Sequence, residues 1–186
     1  MKIFLKDQTS CLSQHLEYFK SIPVMPYQLP QLKERISSIA LSKKRDRLNL
    51  SILFDYKIFP ANIMTSLTQW DAENRSIQVG DTIVQQVYFP PHPLLSQKII
   101  LAVRVNQLID QPGRKGFAYE TLSGHAERGI STFTIEETEN KLLFKIHIFS
   151  TPGHWLTQFT DTIFTSPYQS YCTYKALRNV KKQWEK

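Results

Sequence analysis

The sequence predicts an α+β protein: a curved antiparallel sheet wrapped around one long C-terminal helix, with a helical arm in front. Two observations lead there. Between residues 82 and 149, five strand-like stretches follow one another, joined by short connections such as Asp110-Gln111-Pro112-Gly113 and Ser123-Gly124. Such connections suit antiparallel hairpins and leave no room for helical crossovers. From Tyr168 to Trp184, apolar residues then recur at helical spacing.

Taken in order, residues 9–20 predict a short helix, capped by Thr9 or Ser10, with Leu12, His15, Leu16 and Phe19 at helical spacing. Pro23, Pro26 and Pro30 make an extended connector, since each removes a donor and disfavours helix in the residue before it. A second helix is expected from about Gln31 to Leu41, with Leu32, Ile36, Ile39 and Ala40 on one side. Residues 1–47 thus read as an arm and residues 48–186 as the domain proper. From Leu48 the pattern turns to period two, with Leu48, Leu50, Ile52 and Phe54 alternating, which predicts a strand. Pro60 opens a helical passage through Ile63, Met64, Leu67 and Trp70. Val79-Gly80-Asp81 is a turn signal, and strands are expected at 82–89, 98–109, 116–122, 131–136 and 142–149. Pro152-Gly153 closes the last one. A helix over Trp155–Phe164 is expected next, then the terminal helix. On its wheel Cys172, Thr173, Ala176, Leu177, Val180 and Trp184 share one face, while Lys175, Arg178, Lys181 and Lys182 gather opposite. This order is that of a helix-grip fold, whose sheet and last helix enclose a gap lined by Ile99, Leu101, Val103, Val105 and by Leu142, Phe144, Ile146, Ile148. A cavity for an apolar ligand is the site hypothesis that follows.

The 186 residues, 41 % hydrophobic and 12 % aromatic, suit one such domain plus the arm. A charged fraction of 21 % without low-complexity runs excludes a disordered tail protein, and six Gly with no phosphate-loop pattern argue against nucleotide chemistry. Cys11 and Cys172 stand far apart without ligand-spaced neighbours, so no metal and no cofactor are expected, and free thiols point to the cytoplasm. Lys6 and Asp7 interrupt the first apolar patch before a secretory core forms, and no stretch reaches the ~18 apolar residues of a spanning helix. The formal charge of +7 divides into +5 over residues 1–47, −2 over 48–167 and +4 over 168–186. Its densest run, Lys43-Lys44-Arg45-Asp46-Arg47, reads as a solvated helix end or linker, and nucleic acid is not an expected partner.

The stretch Gly116-Phe117-Ala118-Tyr119-Glu120-Thr121-Leu122-Ser123-Gly124-His125-Ala126-Glu127-Arg128-Gly129, followed by Phe133, resembles the signature of a family of unknown function found in bacteria and plants. Phe149-Ser150-Thr151-Pro152 and the terminal helix are similar to that family's ending, so the resemblance covers roughly residues 48–184. Glu120 stands where a glycine is usual and Ile130 where an acid is usual. The family is itself similar to the START and polyketide-cyclase (SRPBCC) superfamily of helix-grip proteins. That resemblance implies a ligand cavity for lipids, sterols or aromatic polyketides and supplies no known reaction.

Tyr119 and Thr121 share a strand face with Phe117, and His125 and Glu127 fall in the next loop between Gly124 and Gly129. These four are the candidate ligand-binding or acid–base residues. A carboxylate two residues from an imidazole can fix its tautomer and raise its basicity. The plainer alternative is a hairpin whose His and Glu bond the loop backbone. Arg104 interrupts an apolar strand; it either faces solvent or anchors an acidic headgroup in the cavity. His147 and Lys145 are expected to face outward and His154 to lie in a loop, while Trp155, Phe159, Phe164, Tyr168 and Tyr171 pack on the sheet or close the cavity mouth.

The function expected is binding of a hydrophobic or aromatic small molecule. The alternatives are a cyclase- or hydrolase-like enzyme using Tyr119, His125 and Glu127, and an interaction module meeting nucleic acid or acidic membrane through the basic termini.

Overall fold

The computed structural model describes residues 1–42, 50–90, 96–139, 141–153 and 166–186. The basic run at 43–47, the helix expected over 155–164, and His154 lie outside the described residues. The elements are β1 (Lys2–Phe4), α1 (Leu12–Lys20), β2 (Lys33–Leu41), α2 (Ser51–Phe54), β3 (Met64–Thr68), α3 (Gln69–Ala72), β4 (Thr82–Phe89), β5 (Gln97–Gln111), β6 (Arg114–Thr121), β7 (Glu127–Glu137), β8 (Leu142–Pro152) and α4 (Ser166–Trp184). The strands form one eight-stranded antiparallel sheet in the order β2-β8-β7-β6-β5-β4-β3, with β1 paired to β5. As the sequence predicts, it is an antiparallel sheet gripping a C-terminal helix.

The meander from β4 to β8 forms because Val, Ile, Thr and aromatic residues alternate there, and each short turn returns the chain beside the strand just made. The alternation sends side chains to two faces. Inward, Val103, Val105, Phe117, Phe133, Phe144 and Ile146 pack with Tyr56, Trp70 and the helix residues Ala176, Leu177, Val180 and Trp184. Outward, Val84, Ile100 and Ala102 pack against Leu12, Leu16 and Phe19 of α1. The helix face read from the wheel is therefore the one that meets the sheet. Polar side chains fix its far end: the Asn179 amide donates to the carbonyls of Lys57 and Ile58 at 3.2 and 3.0 Å, and the Trp184 indole to that of Ser42 at 3.1 Å.

Three expectations are corrected. Residues 33–41 are a strand, not the second helix of the arm, with Lys33 through Leu41 paired to Ser150 through Leu142. The apolar spacing fits a helix equally well, but Ile36 and Ile39 are β-branched and the ladder of β8 supplies a partner for the whole segment. Residues 51–54 are a helical turn, not a strand. Ile52 and Leu53 are both buried, which alternation would forbid. Residues 64–68 form an edge strand against β4, not a helix. The helical turn begins after it, where the Thr68 hydroxyl accepts from the Asp71 amide at 3.2 Å.

Candidate ligand cavity

A cavity of about 130 Å³ lies between the inner sheet face and the first turns of α4. Its apolar lining comes from Phe59, Leu101, Phe133, Ile146 and Ile148; its polar lining includes Gln85, Ser131, Ser150, Gln169 and Thr173. Tyr119, Thr121, His125 and Glu127 all line it too, so four of the five residues named from the sequence come together here.

Thr121 holds the loop between β6 and β7. Its hydroxyl accepts from the Gly129 amide at 3.1 Å and reaches the Gly129 carbonyl at 3.4 Å, standing in for the next rung of the ladder. Gly129 is required: φ is +152° and a Cβ would fall 1.9 Å from the Phe149 carbonyl oxygen. Within the loop, the Glu127 amide donates to His125 Nδ1 at 3.0 Å. Nδ1 lies equally 3.0 Å from the Glu127 carbonyl oxygen, so both backbone groups of Glu127 face it. Burial holds the imidazole pKa down to about 4, so it is uncharged at neutral pH. The His125 ring is thus set by the backbone of Glu127, as in the plainer alternative, while the Glu127 carboxylate accepts from the Gln169 amide of α4.

Tyr119 lies deeper. Its hydroxyl sits 3.5 Å from that of Tyr56, which accepts from Gln85 Nε2 at 2.7 Å. Burial pushes the pKa of Tyr119 up. Burial likewise pushes the Cys172 thiol up to about 11, which makes it inert as a nucleophile. Neither cysteine is in a disulfide. Among the described residues no three His, Cys, Asp or Glu side chains cluster as a metal would need, and no helix is long and apolar enough to cross a membrane.

Arg104 does not reach the cavity. Alternation along β5 turns it to the outer face, where Nη2 donates to the carbonyls of Phe19 and Lys20 at 3.0 and 2.9 Å. There it is half-buried and closes the C-terminus of α1, away from the cavity. His147 sits on the outward side of β8, 2.7 Å from Glu34.

The sequence reading missed Ser150 and Gln169. Ser150 continues the inward stripe Ile146, Ile148, and Gln169 precedes Cys172 and Thr173 on one helix face, so both were open to a periodicity argument.

An antiparallel sheet closed over a terminal helix, with a cavity between them, defines a helix-grip protein. The profile of the domain of unknown function DUF1990 matches residues 49–179, and the chain belongs to that family. A solved structure similar to it is that of ginseng major latex-like protein 151 from Panax ginseng, with a TM-score of 0.59, 10 % identity, and coverage of 82 % of this chain and 97 % of that one. This neighbour has the Bet v 1-like form of the START/SRPBCC fold. No curated protein sequence matches the chain.

Proposed function

We propose that the protein binds a hydrophobic or aromatic small molecule in the cavity between sheet and C-terminal helix and holds it without transforming it. The observation that carries this reading is the cavity itself, whose lining combines apolar side chains with hydrogen-bonding groups. Ligand sites combine those two linings, the first for affinity and the second for orientation. The cyclase- or hydrolase-like alternative has less support. A histidine whose pKa is near 4 is a weak base at neutral pH, and its Nδ1 is already engaged by the backbone. Free thiols at Cys11 and Cys172 support the cytoplasm as its compartment.

Native mass spectrometry of the protein purified from its own cells is expected to show a retained small molecule. The variant Ile148→Trp, which fills the cavity, is expected to lose it while keeping the circular dichroism of the parent. A parent that carries no ligand and whose cavity-lining methyl resonances respond to no added aromatic compound overturns the reading.

A further inference from the structure

Resting on the reading above, we infer that the cavity selects an uncharged, single-ring, hydroxyl-bearing molecule, of the benzyl alcohol or cresol kind, over both plain hydrocarbons and acids. Three independent features point there.

The first is size. A cavity of about 150 Å³ holds one benzene ring, and this one measures about 130 Å³. One ring fits against Phe133, Ile146 and Ile148, and a fused polycycle does not.

The second is unmet hydrogen bonding. Ser150 Oγ and Gln169 Oε1 are buried and have no partner among the described residues, although both residues line the cavity. Ser150 is only 4 % exposed. A buried polar atom without a partner carries a standing cost that a ligand group can remove. The Gln169 amide cannot resolve this by turning over, because the Glu127 carboxylate only accepts and so requires the NH₂ on its side. The free oxygen therefore needs a donor. Ser150, which can donate or accept, needs a partner of either kind. A hydroxyl supplies both roles; a hydrocarbon supplies neither.

The third is charge. The cavity holds one carboxylate, Glu127, and no cation among its described lining residues. His125 is neutral at pH 7 and Arg104 faces the other side of the sheet. An acidic ligand would be buried beside the Glu127 carboxyl with no cation among the described lining residues to meet it, which is costly.

The test is an NMR titration of the full chain with benzyl alcohol, p-cresol, toluene and benzoate, following the methyl groups of Ile146 and Ile148, in the parent and in Ser150→Ala. Both alcohols are expected to bind the parent, with benzoate about tenfold weaker or worse. The substitution is expected to weaken the alcohols about tenfold and leave toluene within about twofold, so that loss of folding and loss of the hydrogen bond are told apart. Alcohol affinities untouched by Ser150→Ala, or benzoate binding as well as benzyl alcohol, would overturn the ligand class while the cavity reading stands. If none of the four compounds perturbs these methyls in the parent, both fail.

Discussion

His125 shows how a residue with catalytic chemistry is spent on structure. The folded protein holds its pKa at about 4, against the ordinary 6.5, because burial disfavours the imidazolium. Above pH 6.5 both folded and unfolded chains carry the neutral ring, and the group adds no pH dependence. As pH falls from 6.5 to 4 the unfolded chain binds a proton that the folded one refuses, so stability is lost across that window and levels off below it. The full loss is on the order of 3 kcal/mol. Urea unfolding at pH 7 and pH 4.5 is expected to show a smaller drop for His125→Gln than for the parent, with the two curves converging at the acid end. Equal drops would mean that the ring keeps its normal pKa. Ser150 and Gln169 make the complementary case at this scale: chemically bland side chains whose importance comes from Oγ and Oε1, which have no partner among the described residues.

Among the elements, what the sequence revealed depended on how much of each element's structure is local. Strands β4 to β8 were legible because period-two alternation, β-branched residues and turn signals all agree there. Strand β2 was not, since Ile36 and Ile39 sit at spacings that serve a helix or a strand, and only the ladder of β8 decides between them. The same holds for Ile52 and Leu53, where a short apolar run does not carry its own period. The site divides likewise. The stretch from Tyr119 to Glu127 is continuous in sequence and was found from its chemistry. Ser150 joins it only through the pairing of Gly129 with Ser150, and Gln169 only through the docking of α4 on Glu127. Arg104 stayed between two readings because its partners, the last carbonyls of α1, lie some 85 residues away in the chain. Its role there is testable. Arg104→Met keeps the stem and removes the donors, and is expected to cost about 1–2 kcal/mol in denaturant unfolding. Binding of a cavity probe is expected to stay within about twofold, since the sheet separates the two sites. An unchanged unfolding midpoint would show that solvent replaces the guanidinium at no cost.

At the scale of the whole molecule, one sheet serves as the wall between two apolar clusters. Its inner face grips α4 and its outer face carries α1, and successive residues of β5 alternate between them, Ala102 outward and Val103 inward. Neither cluster can dissolve without exposing the back of strands that the other packs on, which predicts a single cooperative unit spanning the arm and the sheet. Leu16 of α1, 1 % exposed in the outer cluster, provides the probe. Leu16→Ala is expected to cost about 2–5 kcal/mol, as truncations of buried leucines do. The informative readout lies on the opposite face, where Trp70 and Trp184 belong to the inner cluster. If the two clusters share one transition, tryptophan fluorescence and far-ultraviolet circular dichroism shift to the same lower denaturant midpoint in the variant. If α1 is instead a separable attachment, the circular dichroism splits into two steps while the fluorescence midpoint stays at the parent's value, and the unit is smaller than the sheet implies.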